Sequence, residues 1–214
     1  MRHGLLGGTF DPVHVGHLDV ADAARRALAL STVTLLPAPV PPHRRAPEVS
    51  AAHRFAMAAL AVGGHDGLRV SDVEFDSPGP SYTDATLDRL AARGVETTAL
   101  FFIIGADAFR DIASWKNFPA VLDRCHFAVV SRPGLAATAL REELPALATR
   151  MVAPPCGIPT EPCIFLVNAK TALVSSTDIR ERRRTGQSIT GLVPAAVEAH
   201  IVKHGLYSHP TGAA

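Results

Sequence analysis

Short apolar runs alternate with amphipathic stretches along most of this chain. Apolar or otherwise β-rich runs predict strands at residues 3–6, 32–36, 68–70, 100–104, 127–130 and 164–167. Between them, apolar residues at helical spacing predict helices at 18–30, 51–62, 83–93 and 141–150. Continuous apolar strands separated by helices are typical of a parallel sheet covered on both faces. The pattern therefore predicts an α/β fold with a single Rossmann-like open parallel sheet and helices on both faces.

Two further helices are predicted near the end of the chain. Ser176 and Thr177 are expected to cap an arginine-rich helix over 179–184, and a last helix is expected from Pro194 to Gly205. The residues 135–162 carry no chemical signature and predict a peripheral helix followed by a proline-rich connection. We expect one domain over residues 1–208 and a disordered tail at 209–214.

The turn after the first predicted strand has the sequence GGTFDPVHVGH, residues 7–17. A glycine pair lets the backbone approach a ligand closely, and the following helix N-terminus is a ready anion site. His14 and His17 add side-chain donors at the same place. Two neighbouring histidines can also bind metal, but no cysteine or carboxylate set completes such a site here, and the glycine between them indicates close backbone packing instead. The turn therefore predicts a phosphate-binding corner and no protein-held metal.

This turn resembles the signature of the nucleotidylyltransferase superfamily, the (H/T)xGH enzymes, and the resemblance runs nearly end to end. Within that superfamily the chain is similar to the bacterial nicotinate-mononucleotide adenylyltransferases. The further motifs that carry the resemblance are 40–44 (VPPHR), 80–83 (PSYT), 103–107 (IIGAD), Trp115, 131–134 (SRPG), 174–180 (VSSTDIR) and 205–207 (GLY). The resemblance implies transfer of the adenylyl group of ATP to nicotinate mononucleotide, giving deamido-NAD and pyrophosphate in NAD biosynthesis.

The resemblance also implies a role for each motif. His14 and His17 are expected to be the catalytic residues, with His17 closest to the α-phosphate of ATP. The residues expected to bind ATP are Gly7, Gly8, Thr9, Phe10, Gly105, Asp107, Ser176, Thr177 and Arg180. Those expected to bind the mononucleotide are His43, Arg44, Tyr82, Thr83, Trp115 and Arg132. Mg²⁺ is expected to bind mainly through the ATP phosphates.

Three of these expectations have alternatives. Proline at positions 37, 39, 41, 42 and 47 makes the segment around His43 either a stiff surface connection or a loop directed at a phosphate. Trp115 is either a core residue or a stacking surface for the pyridine ring. Lys116 stands where the family often has an aromatic residue, so it is open which side chain makes a second contact with the pyridine ring.

Composition narrows the class of function. The formal net charge of +1 gives no electrostatic field that would favour binding to nucleic acid or to membranes. There is no export signal and no apolar run long enough to span a bilayer, so we expect a cytoplasmic protein without nucleic-acid or membrane partners. Cys125 is expected to be a buried small hydrophobe, and pairing of Cys156 with Cys163 is disfavoured in a reducing compartment. Self-association stays open.

Rival functions remain. The chain could be an adenylyltransferase for nicotinamide mononucleotide or for phosphopantetheine, although Trp115 and the PSYT motif do not fit the latter. It could also be a nucleotide-binding module without catalysis, but both histidines and Arg180 are intact. Backbone amides and the Thr83 hydroxyl in the PSYT motif favour an acceptor that carries a carboxylate.

Overall fold

The computed structural model describes residues 2–42, 46–76, 79–154 and 159–208. The strands are β1 (His3–Gly8), β2 (Thr32–Pro37), β3 (Leu68–Val70), β4 (Leu100–Gly105), β5 (His126–Val130), β6 (Met151–Val152) and β7 (Ile164–Val167). The α-helices are α1 (Val15–Ala27), α2 (Ala51–Val62), α3 (Thr83–Ala92), α4 (Ala106–Phe109), α5 (Leu140–Glu143), α6 (Ser176–Arg184) and α7 (Ala195–Lys203).

The described strands form one parallel sheet in the order β3-β2-β1-β4-β5-β7-β6. The chain builds outward from β1 to β3 and then returns to place β4 on the other side of β1. The connections therefore leave in opposite directions from β1 and β4, and open α/β sheets bind ligands at the carboxyl end of such a switch point. The predicted open parallel sheet is confirmed.

Each face of the sheet carries its own apolar core. Leu6 packs on one face with residues of α1, α2, α6 and α7. Leu5 packs on the other face with residues of α3, α4 and α5. Successive side chains of a strand point to opposite faces, so an all-apolar strand needs cover on both. The prediction of helices on both faces is confirmed.

Two helices begin at residues other than those expected. The first helix was predicted from Leu18, but α1 begins at Val15 with His14 in extended conformation as its N-cap. The Ser176–Thr177 pair was predicted as the cap of α6, but Ser175 is the cap, and its hydroxyl accepts a hydrogen bond from the Asp178 amide at 3.1 Å. Both helices therefore begin about one turn earlier in the chain than the apolar pattern indicates.

The predicted helix over 141–150 was wrong. The structure has the short α5 and then a 3₁₀ helix over Pro145–Arg150. Proline disfavours helical conformation at the residue before it, and Leu144 has φ −125° and ψ 63°. The two-residue strand β6, which pairs with β7, was missed because it is too short to show any alternation.

Some predictions lie outside the described residues. These are the roles of His43 and Arg44, the disordered tail at 209–214 and the state of Cys156. Cys125 is buried, and burial raises the pKa of its thiol to about 12, as expected for an inert apolar position. Within the described parts of the chain, no helix is long and apolar enough to cross a membrane.

Candidate active site

A cleft of about 1040 Å³ opens at the carboxyl ends of the central strands. It is lined by every predicted site residue that the structure describes: Gly7, Gly8, Thr9, Phe10, His14, His17, Tyr82, Thr83, Gly105, Asp107, Trp115, Arg132, Ser176, Thr177 and Arg180. These residues come from six separate segments of the chain. The fold therefore brings motifs that are distant in sequence to one surface.

The turn between β1 and α1 is closely packed. Phe10 has φ +50°, and its ring is buried beneath Gly8, where an added Cβ would lie 2.8 Å from a ring carbon. A Cβ on Gly16 would lie 3.2 Å from the His14 ring and 3.3 Å from the carbonyl oxygen of Ala172. Both glycines are thus required by space, as the sequence indicated for the residue between the two histidines.

The two histidines form a stacked pair at the start of α1. Their ring centroids are 3.7 Å apart with 29° between the planes, and the edge of Phe10 meets His17 at 5.0 Å. The backbone N–H of His14 donates to Nδ1 of His17 at 3.2 Å. Because Nδ1 accepts this bond, the neutral His17 ring carries its proton on Nε2 and can donate it to a ligand.

His14 is 2% exposed, and its Nδ1 has no hydrogen-bond partner among the described residues. Burial, and secondarily the positive charge of Arg132, lowers the pKa of His14 to about 4. The ring is therefore neutral near pH 7 in the ligand-free protein. A buried polar atom without a partner beside an open cleft is typical of a ligand contact.

The depressed pKa of His14 predicts a pH-dependent stability. An unfolded histidine binds a proton below about pH 6.5, whereas the folded His14 does so only below about pH 4. Between these values the unfolded state holds more protons, so the free energy of unfolding should fall as pH drops from 6.5 to 4, by roughly 3 kcal/mol from this residue. Urea titrations at pH 7.5, 5.5 and 4.5 measure this change in the free energy of unfolding.

The control for this prediction is His14→Gln. Burial also lowers the pKa values of His3 and His126, which should give the same slope in both proteins. The free energy of unfolding of wild type, taken relative to that of His14→Gln, should therefore report His14 alone and should fall toward acid pH. Parallel curves over this range would contradict the depressed pKa.

The start of α6 faces the same corner. The Ser176 hydroxyl donates to the carbonyl of Pro12 at 2.9 Å, which ties this helix to the β1–α1 turn. Arg180, one turn further on, donates from Nη1 to the carbonyl of Asp11 at 2.8 Å and from Nη2 to the Thr177 hydroxyl at 3.3 Å. Its Nε also pairs with Glu48 at 2.8 Å. Arg180 therefore points back toward the helix N-terminus.

A buried network that the sequence did not indicate supports this turn from below. Asp11 accepts a hydrogen bond from the Tyr207 hydroxyl at 2.7 Å and another from the Glu48 amide at 2.8 Å. Burial and the nearby Asp11 charge raise the pKa of Tyr207, so the phenol stays protonated as the donor. The final motif, GLY, thus contributes a structural tie to the corner.

Arg54 is the second unpredicted support. It is 1% exposed on α2 and donates to the carbonyls of Thr9 at 2.8 Å and Pro39 at 2.9 Å, as well as to that of Ala38. Burial lowers the pKa of Arg54, and the neighbouring Asp11 charge opposes that effect. Its guanidinium therefore holds together the loops that follow β1 and β2. An arginine inside an apolar helix gives no local signal of such a role.

The far end of the cleft is formed by the start of α3 and by Trp115. Trp115 is half-buried, and its ring lies edge-on to Phe102 at 6.0 Å while also lining the cleft. The core and ligand interpretations of this residue are therefore compatible. Tyr82 is the N-cap of α3 and provides no side-chain cap, and the buried hydroxyl oxygen of Ser81 has no partner among the described residues.

Gly105 and Asp107 lie between the two ends. A Cβ on Gly105 would lie 2.5 Å from a carboxylate oxygen of Asp107 and 3.0 Å from Nε of Arg132. Arg132 Nε is 3.5 Å from that same Asp107 oxygen. Arg132 was predicted with the mononucleotide residues, and the structure places it beside Asp107 and within electrostatic reach of His14.

Across the described ranges, no group of three or more His, Cys, Asp or Glu side chains is arranged to hold a metal ion. His200 of α7 and His204, which follows that helix, pack with His53 of α2, whose Nδ1 lies 3.1 Å from Nε2 of His200. These rings belong to the contact between α2 and α7 and do not line the cleft.

Comparison with known proteins adds an independent observation. Residues 5–182 match the cytidylyltransferase-like family. A Roseiflexus sp. protein named "Probable nicotinate-nucleotide adenylyltransferase" is 42% identical, covering 95% of this chain and 96% of that protein. A Pseudomonas aeruginosa protein of the same name is 41% identical and covers 98% of both.

The fold also matches solved structures. A Plasmodium falciparum nicotinic acid mononucleotide adenylyltransferase complexed with NaAD superposes with a TM-score of 0.72 and 17% identity, covering 96% of both chains. At that identity the match supports the fold. Membership of a family rests instead on the relatives that are 41–42% identical over nearly the full length of the chain.

Proposed function

The chain belongs to the cytidylyltransferase-like family and, within it, to the nicotinate-nucleotide adenylyltransferases, and we propose that it acts through the cleft described above. The enzyme transfers the adenylyl group of ATP to nicotinate mononucleotide, giving deamido-NAD and pyrophosphate, in NAD biosynthesis. The observation that best supports this use of the cleft is the meeting of the His14–His17 pair with Arg180 and the start of α6. We place the reaction in the cytoplasm.

The chemistry asks for positioning and charge stabilisation more than for proton transfer. The attacking phosphate is mostly dianionic at neutral pH, because its second pKa is about 6. Pyrophosphate can leave unprotonated if its charge is held. The site must bring two anions together in line and stabilise charge that develops on the α-phosphate. A nucleophilic side chain or a pair of carboxylates is unnecessary for this step.

We assign the phosphate-binding end to the corner formed by α1 and α6. His17 donates from Nε2 to the α-phosphate, because the hydrogen bond that its Nδ1 accepts from the His14 backbone leaves the proton on Nε2. His14 supports it as a neutral donor. Ser176, Thr177 and Arg180 hold the β- and γ-phosphates at the start of α6. Gly7 and Gly8 leave room for the backbone to approach, and Thr9 and Phe10 lie between the two substrates.

Magnesium enters this scheme as part of the ATP substrate. Asp11 and Glu48, the carboxylates that line the cleft beside Arg180, are already engaged: Asp11 by Tyr207, and Glu48 by Arg180 and Arg184. The hydroxyl, imidazole and guanidinium groups that line this end suit the phosphates of an ATP complex rather than a bare cation. The bound ion would neutralise part of the triphosphate charge.

The remaining residues divide between ribose and mononucleotide. Gly105 permits close approach and Asp107 accepts hydrogen bonds from a ribose, with Arg132 beside it. Trp115 stacks on the pyridine ring, and Tyr82 with Thr83 meets the ring carboxylate at the uncapped start of α3. His43 and Arg44, outside the described residues, are assigned to the acceptor phosphate on sequence grounds alone.

Replacing Trp115 with alanine should raise KM for nicotinate mononucleotide far more than KM for ATP. Stacking of a ring on tryptophan contributes roughly 1–3 kcal/mol, which corresponds to about five- to 150-fold in affinity. Initial rates with each substrate varied in turn measure the effect, and circular dichroism checks the fold. An effect confined to ATP would place Trp115 on the adenine side.

Pyrophosphate release tests the proposed function. The protein is incubated with MgATP and one acceptor at a time: nicotinate mononucleotide, nicotinamide mononucleotide or phosphopantetheine. We expect release that depends on the acceptor and is fastest with the acid. Preference for either other acceptor would change the substrate assignment, and release with none of them would favour a non-catalytic nucleotide-binding module.

A further inference from the structure

Lys116 is a cation in the cleft that the roles assigned above leave unused. It follows Trp115, is exposed, and lines the end of the cleft formed by α3. Its Nζ lies 5.0 Å from the ring centroid of Tyr82, in cation–π contact. The amine is thereby held beside the residue that precedes the first turn of α3.

The backbone that carries Lys116 is fixed to α3 on its other side. Asn117 has φ +61° and donates from Nδ2 to the carboxylate of Asp84 in the first turn of the helix. Arg124 pairs with Asp84 at 2.6 Å and with Asp88 at 2.8 Å. These contacts tether the segment to the helix start, so the flexible lysine side chain begins from a defined position.

The charges around this end of the cleft leave Lys116 as an available cation. Glu74 is paired with Arg89 at 2.7 Å and accepts a hydrogen bond from Thr86. Asp84 is paired with Arg124. Lys116 itself has no carboxylate within ion-pair distance among the described residues, and Asp111 is the remaining exposed carboxylate in this part of the cleft lining.

From this geometry we propose that Lys116 is a specificity-determining residue, which attracts the carboxylate of the pyridine ring and favours the acid over the amide. This rests on the proposed function, since it concerns the acceptor in the same cleft. An ammonium group stabilises a carboxylate but gives a neutral carboxamide no comparable charge interaction. The amides at the start of α3 and the Ser81 hydroxyl supply short-range contacts, and Lys116 adds the charge that separates the two acceptors.

The test compares wild type with Lys116→Met, Lys116→Arg and Lys203→Met. Methionine keeps the length of the chain without its charge, arginine restores the charge, and Lys203 is an exposed lysine of α7 away from the cleft. For each protein, kcat/KM is measured with nicotinate mononucleotide and with its amide. Calorimetry gives the affinity for each mononucleotide without turnover.

We expect Lys116→Met to lower kcat/KM and affinity for the acid about five- to tenfold, the range for a solvent-accessible ion pair that becomes partly buried. Values for the amide should change by less than about twofold, and high salt should shrink the acid preference of wild type. Lys116→Arg and Lys203→Met should keep most of that preference.

Equal losses for acid and amide, or no loss for either, would overturn the role of Lys116. These outcomes differ from failure of the proposed function, in which wild type would transfer no adenylyl group to either acceptor. Even in that case the calorimetric ratio of acid to amide affinity in Lys116→Met against wild type would decide the role of the lysine.

Discussion

Replacing His17 with alanine is expected to lower kcat at least about a hundredfold while leaving the fold and most of the substrate affinity unchanged. His17 presents Nε2–H because its Nδ1 accepts from the His14 backbone at 3.2 Å. A donor placed where charge develops acts mainly on the transition state, and loss of one such donor costs on the order of a hundredfold or more in rate. Steady-state kinetics with both substrates measures the effect.

His65→Ala is the matched control, because His65 is exposed and lies outside the cleft. It should match wild type in kcat and in both KM values. If His17→Ala folds normally and keeps its kcat, the assigned role of His17 is wrong. A loss confined to KM would make it a binding residue without catalytic effect.

Replacing Arg180 with alanine is expected to lower kcat/KM for ATP on the order of a hundredfold, with a much smaller change for the mononucleotide. The guanidinium sits at the start of α6 and also bonds the carbonyl of Asp11 at 2.8 Å. In the proposed assignment its removal takes away a charge that faces the β- and γ-phosphates, and it also removes a hydrogen bond that holds the β1–α1 turn. Charge-assisted hydrogen bonds to phosphate are among the strong ones.

Arg182→Ala separates the role of Arg180 from that of helix charge in general. Arg182 lies on the same helix and pairs with Asp178 at 3.0 Å on an exposed face. An exposed pair of this kind contributes little, so this variant should behave as wild type. An Arg180→Ala effect limited to the mononucleotide KM would contradict its assignment to ATP.

The sequence predicted those features that depend on local pattern. The apolar run at 164–167 coincides with β7, whose residues are all buried, because a strand buried on both faces must be apolar throughout. The β-rich run at 68–70 coincides with β3, which lies at the edge of the sheet and leaves Arg69 exposed. The parallel arrangement in turn places their carboxyl ends on one edge. The glycine between the two histidines was predicted to serve close packing, and an added Cβ on Gly16 would crowd the His14 ring.

The features that the sequence did not reveal depend on long-range contacts. Asp11 and Tyr207 are 196 residues apart in sequence, and neither neighbourhood signals the hydrogen bond between them. Arg54 lies in a helix whose other buried residues are apolar, so its role is visible only once the loops after β1 and β2 converge on it. Lys116 likewise gains significance only when Tyr82 is beside it.

The most direct measurement of the central claim follows the fate of the α-phosphate. The protein is incubated with nicotinate mononucleotide and MgATP labelled at the α-phosphorus, and the products are separated and identified by mass. We expect label in deamido-NAD, formed in equal amount with unlabelled pyrophosphate, and formation of this product at least about a hundredfold slower with His17→Ala. Label recovered in ADP or AMP, with no dinucleotide formed, would contradict it.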